Sequence, residues 1–340
     1  MVVLSLLLAC AGREPPPPPP PPPTPVAEAP ERFVFGSCFD PSKPAPITQH
    51  VAGYEPDLLL FLGDNTYGSG VHLDPSMPSL QRAYAALAAH PDWQRLQALG
   101  LPSISIWDDH DYGSGDGGGD FALREQSEAL FLEFWQVSDE RTQRPGLYQA
   151  WSWGEAGERV QILVLDTRSF RAVLKPTDDK GAPGKERYLP DPDPSKTMLG
   201  EQQWSWLEAQ LAQPADLRLV VSPIQVLSTS HGWESWNNLP LERQRLLELL
   251  DPHDEVVLLS GDRHTGQIYR DPTTGLVEVT ASSWTSPAPS PPEEDPLRVG
   301  EPVRTTNFGL AVVDWQARQV VLSVVGEQGE PQVVEVVTLP

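Results

Sequence analysis

Four short stretches end in groups that bind metal ions or move protons: Gly36-Ser37-Cys38, Gly63-Asp64-Asn65-Thr66-Tyr67, Asp108-Asp109-His110-Asp111 and Gly261-Asp262-Arg263-His264. Each follows an apolar run of strand length, the clearest being Leu58-Leu59-Leu60-Phe61-Leu62. A buried strand that stops at a glycine can turn sharply and leave the next side chain at the carboxyl edge of a sheet, where open α/β sheets keep their ligands. A thiol, a phenol, imidazoles and several carboxylates are together a ligand set. Thiolate and phenolate favour a hard, charge-dense, oxidising ion such as Fe(III), with His264 as nitrogen donor. A bridging carboxylate with further oxygen donors suits Ca²⁺, Mg²⁺, Mn²⁺ or Zn²⁺ as companion. Two such ions bind a phosphate ester, activate a water and stabilise the leaving oxygen. A structural zinc site is not expected, because the sequence has no Cys-x-x-Cys and no close Cys/His pair. Taken singly, each stretch has an ordinary explanation. Cys38 could be a small buried hydrophobe, Tyr67 a rim aromatic, Asp108 to Asp111 a solvated loop and His264 a satisfied core histidine. Repetition of one arrangement at four strand ends is what those explanations leave out.

These groups need strands to present them. Arg32 to Cys38, Leu58–Leu62, Pro102 to Trp107, Gly146 to Trp153, Val160 to Arg168, Leu217 to Val221 and Glu255 to His264 read as strands. If the ligand-bearing strands share one sheet, their ends converge at one edge. Asp40 to Gly53 predicts a short helix, and Gln81 to Leu99, Arg124 to Val137, Leu199 to Leu207 and Leu241 to Leu250 have helical spacing. Segments near 276–280, 309–314 and 320–325 predict antiparallel strands, and Gly113 to Asp120 a Gly/Asp loop. Two insertions, about 175–197 and 286–302, carry no readable pattern. Alternating strands and helices predict an α/β sandwich rather than separate domains.

The 340 residues carry a net charge of −23, which excludes nucleic-acid binding through a basic surface. An anionic substrate therefore needs local positive charge from a few arginines or from metal ions. Nine consecutive prolines, Pro15 to Pro23, hold much of the chain's proline, so the remainder can still build a core. We expect three parts: a signal-like segment 1–10, a proline-rich spacer 11–31 and a folded domain 32–340. The first part, Val2-Val3-Leu4-Ser5-Leu6-Leu7-Leu8-Ala9-Cys10, is too short to span a bilayer and resembles a bacterial lipoprotein signal. It lacks a preceding Lys or Arg and has bulky Leu8 where that signal has a small residue. A lipid on Cys10 would place the protein in the cell envelope, with the spacer holding the domain off the membrane.

The ordered blocks Gly-Ser-Cys38, Gly-Asp64-Asn-x-Tyr67, Trp-Asp-Asp109-His110-Asp-Tyr-Gly, Leu-Asp-Thr-Arg168, Leu-Gly-x-x-Gln-x-x-Trp-Leu and Ser-Gly-Asp262-x-His264 span about Phe33 to Thr280. They resemble the PhoD-type alkaline phosphatases of the metallophosphoesterase superfamily. The resemblance implies a β-sandwich of mixed sheets flanked by helices, and hydrolysis of phosphate mono- or diesters by a metal-activated hydroxide at a dinuclear or trinuclear iron and calcium centre. It implies that Cys38, Tyr67 and His264 bind Fe(III), that Asp64 bridges, and that Asp109 and Asp262 serve the second metal. His110 then stands where a histidine protonates the leaving group, and Asn65 and Arg168 are candidate phosphate contacts. Two departures stand out. Only the apolar segment and spacer precede Phe33, where longer family members have a sandwich module. Where related sites supply a further histidine, the chain reads Ser222-Pro223-Ile224-Gln225, so Gln225 or water is the expected substitute. A monomer is expected. Two alternatives are a phospholipase D-like or envelope-polymer phosphodiesterase, and an inactive binding lipoprotein.

Overall fold

A computed structural model describes residues 28–70, 74–288 and 292–340. The signal-like segment, Cys10 and the polyproline run lie outside the described residues. Among the described residues fifteen strands form, in chain order: β1 Arg32–Gly36, β2 Leu58–Leu62, β3 Ser103–Ile106, β4 Gln149–Trp153, β5 Val160–Val164, β6 Lys175–Pro176, β7 Tyr188–Leu189, β8 Leu217–Ser222, β9 Val256–Ser260, β10 Gly266–Arg270, β11 Val277–Ala281, β12 Arg298–Val303, β13 Asn307–Asp314, β14 Gln319–Gly326 and β15 Pro331–Thr338. The helices are α1 Pro78–Ala89, α2 Pro91–Gln97, α3 Asp109–Tyr112, α4 Arg124–Phe134, α5 Gly200–Leu211 and α6 Pro240–Leu250.

Apart from β6 and β7, which pair with each other, the strands make two large mixed sheets, ordered β15-β14-β13-β1-β2-β3 and β12-β10-β11-β9-β8-β5-β4. In β2 every residue is buried, because its two faces pack on different layers. Leu58, Leu60 and Leu62 join Val164, Val221 and Leu259 between the sheets. Leu59 and Phe61 face outward onto Leu87, Trp93 and Leu96 of α1 and α2. On the far side, Leu163, Val220 and Leu258 pack under Trp204 and Leu207 of α5 and Leu246 of α6. The result is a sandwich of two sheets with helices outside both.

The ligand-bearing strands are divided between the sheets: β1, β2 and β3 are parallel neighbours in one, while β9 lies in the other. Their carboxyl ends still meet, because the sheets stack with those edges together. The helix expected over Gln81 to Leu99 is two helices. His90 precedes Pro91 and takes an extended conformation (φ −72°, ψ 126°), and its Nδ1 accepts from the Asp92 amide at 3.2 Å to start α2. Asp40 to Gly53 yields a 3₁₀ helix over Pro46–Tyr54. The second unread insertion, 286–302, ends in β12, an edge strand whose Gly300 and Pro302 disguise it. No helix among the described residues is long and apolar enough to cross a membrane.

Candidate metal centre

Register sets the site. Phe35 pairs with Leu60 and Leu60 with Ile104, so the three parallel strands stop at the same level. Gly63 follows β2 with φ +106°, and a Cβ there would lie 2.6 Å from Asp108 Cβ. Only glycine lets the two carboxylate-bearing loops close on each other. Across the gap, a Cβ on Gly261 would meet Ser37 Oγ at 2.5 Å, so this glycine lets the second sheet approach the first.

Cys38, Asp64, Asp262 and His264 all adopt left-handed backbone, with φ of 62°, 50°, 67° and 56°. Such conformations are costly away from glycine and gather at functional sites. They turn four ligand-capable side chains out of their strands into one volume. Three groupings result, each with one ligand atom per residue within 4.8 Å of the others: Cys38, Asp64 and His264; Asp64, Asp109 and His110; and Asp64, Asp108, Asp109 and Asp262. Asp64 is common to all three. Tyr67 Oη stands 3.4 Å and Cys38 Sγ 3.7 Å from Asp64 Oδ2, while Asp64 Oδ1 accepts from the His110 amide at 3.1 Å. One flank of Asp64 is thus thiol, phenol and imidazole, and the other is carboxylate.

Supporting contacts fix these groups. His264 Nδ1 lies 2.5 Å from the Ser286 carbonyl, which takes its proton and leaves Nε2 as the ligand nitrogen. Cys38 Sγ has Ser37 Oγ and Ser282 Oγ each at 3.3 Å. Asp109 Oδ2 accepts from the Asp116 amide at 2.8 Å. Asp108 is 1% exposed, and its Oδ2 has no hydrogen-bond partner. An orphaned buried carboxylate oxygen amid other carboxylates fits a cation.

The electrostatics agree. Burial, then Asp109 and Cys38, push the Asp64 carboxyl well above the usual range. Burial raises Asp108 despite Arg168, and burial with Glu234 raises Asp262 to about 7. Asp109 is held low against its burial by His110 and Arg168. Burial pushes the Cys38 thiol up to about 12, so without a cation beside it Cys38 is an inert thiol. Desolvation likewise lowers His264 and so favours the neutral, ligating imidazole.

A cavity of about 550 Å³ opens onto this edge, with Asp109, His110, Asp262 and His264 in its wall. Both unread insertions reach it: Arg187 comes from the first, and Ser286 and Glu293 from the second. Arg187 pairs with Asp116 at 2.5 Å and Arg263 with Glu293 at 3.0 Å, flanking Trp233.

Two sequence expectations are corrected here. Asn65 and Arg168 do not border the cavity. Asn65 spends its amide protons on the Ile106 carbonyl (2.8 Å) and Asp111 Oδ2 (2.6 Å). Arg168 is fully buried between Asp108 Oδ1 and Glu234, with Nε at 2.7 Å and Nη1 at 2.7 Å respectively. Neither group has a donor free for phosphate; both position the ligand loops. Arg168→Met is therefore expected to lower unfolding free energy by about 3–5 kcal/mol in urea denaturation, since buried Asp108 loses its counter-charge and Glu234 is left with Arg171 alone, at 3.0 Å. An equally stable variant with a raised KM would restore the phosphate-contact role. Gln225 is also a core group, fully buried with its amide on Tyr269 Oη, Thr280 Oγ1 and His231 Nε2. The loop beyond it contributes Trp233 and Glu234 to the cavity instead.

A two-sheet α/β sandwich with a carboxylate-rich ligand cluster at the shared strand edge is a metallophosphatase fold. The chain belongs to the PhoD-like phosphatase family, whose model matches residues 33–321. Among solved structures it is similar to that of PhoD, with TM-score 0.70 and 19% identity over 93% of this chain and 70% of that one. It is also similar to GAP50, the anchor in the inner membrane complex of Plasmodium (TM-score 0.61, 12% identity, 92% and 90% covered). A dimetal phosphatase from Danio rerio aligns with TM-score 0.56 and 13% identity, covering 93% of this chain and all of that one. At these identities the structural likenesses show the fold. No curated protein matches the sequence.

Proposed function

We propose that the chain hydrolyses phosphate mono- and diesters at a dinuclear centre built around Asp64. The observation that carries this reading is that every ligand-capable grouping at the site shares Asp64, with soft and nitrogen donors on one side and carboxylates on the other. Cys38, Tyr67 and His264 would hold Fe(III), and Asp108, Asp109 and Asp262 a divalent ion such as Ca²⁺. Bound there, the two ions supply the positive charge for an anionic ester and lower the pKa of a water nucleophile.

The side chains do the rest. His110 is half-buried in the cavity wall, its ring 4.1 Å from that of Tyr67 and its Nδ1 2.6 Å from Ser69 Oγ. In the tautomer where Ser69 donates to Nδ1, Nε2 carries the proton and can give it to the leaving oxygen. Asp109 Oδ1 lies 4.0 Å from Nε2. Lys43, Arg187 and Arg263 border the entrance and offset part of its carboxylate charge, and the bound ions would offset the rest.

The purified protein is expected to hydrolyse both 4-nitrophenyl phosphate and its bis-nitrophenyl diester, and to be violet from charge transfer between Tyr67 and Fe(III). Tyr67→Phe should bleach it. A colourless, iron-free, fully active enzyme would remove the iron assignment and leave hydrolysis standing. A metal-replete protein inactive on both esters would favour a binding role on the same fold.

A further inference from the structure

A second cavity, about 870 Å³, lies at the opposite end of the sandwich, below the amino ends of β2 and β3. Its wall includes Trp151, Trp153 and Trp315, with Pro30 and Pro102 nearby. Trp151 and Trp153 stack in one strand with ring planes 12° apart and centroids at 6.1 Å. Trp151 donates its indole proton to Gln149 Oε1 at 2.9 Å. Among the described residues nothing accepts from the indole N–H of Trp153 or Trp315. The chain enters this groove directly: Glu28 to Glu31 border it, and a Cβ on Gly154 would touch Ala29 Cβ at 3.0 Å.

We propose that the nine prolines Pro15 to Pro23 of the same chain lie in this groove. A polyproline helix has three residues per turn, offers carbonyl acceptors and has no N–H to satisfy. The stacked rings of Trp151 and Trp153 and the indole donors of Trp153 and Trp315 complement it on both counts, which is how aromatic grooves take proline-rich segments. Its backbone is already fixed in the bound conformation, so little entropy is lost on docking. Four residues, Thr24 to Ala27, separate the tract from Glu28. They span at most about 14 Å, and so short a tether holds the tract at a local concentration on the order of millimolar. A weak contact is then enough. Docking would fix the amino-terminal stalk to the end of the sandwich opposite the metal-ligand edge.

The test reads indole N–H resonances in the full chain, which has 11 tryptophans, assigned with single Trp151→Phe, Trp153→Phe and Trp315→Phe variants. Replacing Pro15 to Pro23 by alternating Gly and Ser is expected to move these three resonances and leave the others. Adding a free nonaproline peptide to that variant should return them to the parent positions. Three resonances unmoved by the replacement would overturn the proposal. So would parent positions that shift with dilution, because the tract would then come from a second copy.

Discussion

His110→Asn is expected to lower kcat by about 10²- to 10⁴-fold, the range that a positioned general acid contributes. The bound metals should stay at parent stoichiometry. Asparagine keeps a side chain that can bond Ser69 but has no proton to lose near neutral pH. The loss should be larger for alkyl than for nitrophenyl esters, because nitrophenolate leaves without help. The alternative is sharp, since His110 also falls within ligand distance of Asp64 and Asp109. If the variant loses a metal in proportion to its activity, His110 is a ligand and the leaving group is protonated by another group.

Asp64→Asn is expected to cut activity below about 1% of the parent and to strip metal from both sides of the site. Changes merely behind a ligand cost about 10- to 100-fold, and this one removes the carboxylate common to every grouping. Its backbone should survive, because asparagine tolerates the left-handed conformation that Asp64 adopts at φ 50°. A second outcome separates function from folding. With metals chelated, the variant should melt above the chelated parent. The Asp64 carboxyl is buried beside Asp109 and Cys38, which disfavours its charge, and an amide carries none. Metal content and melting temperature in chelator check both halves. Retained metals would take Asp64 out of its shared role.

Much of this was legible because it is local. A run such as Leu58–Leu62 must be buried, a glycine must end it, and the next side chain must emerge at the edge. That logic put Cys38, Asp64, Asp109, Asp262 and His264 at strand ends without knowledge of which strands pair, and the structure groups them at one edge. Pairing itself was not legible, since β1 takes one neighbour from β2 and the other from β13, far along the chain. The short pattern therefore could not say which of the two sheets each ligand-bearing strand joins. Strands β10 and β12 escaped because glycine, proline and charge interrupt their alternation. Asp108 was overlooked beside Asp109 because adjacent carboxylates look alike until one is seen to lack a partner. Glu234 and Trp233 had a usable signal in the dense run His231-Gly232-Trp233-Glu234-Ser235-Trp236, which matches no regular period. Asn65 and Arg168 show the reverse error: the right chemistry for phosphate, spent instead on holding loops.

The position of β1 between β2 and β13 also governs the order of assembly. Arg32–Gly36 cannot gain its second neighbour until Asn307–Asp314 has been synthesised. Closing so long a loop delays the reward for early contacts and slows folding. Cys38 sits just beyond β1, so its place in the ligand cluster is secured only when the far end of the chain arrives. At the proposed centre, metal uptake is therefore expected to follow the pairing of β1 with β13 rather than precede it.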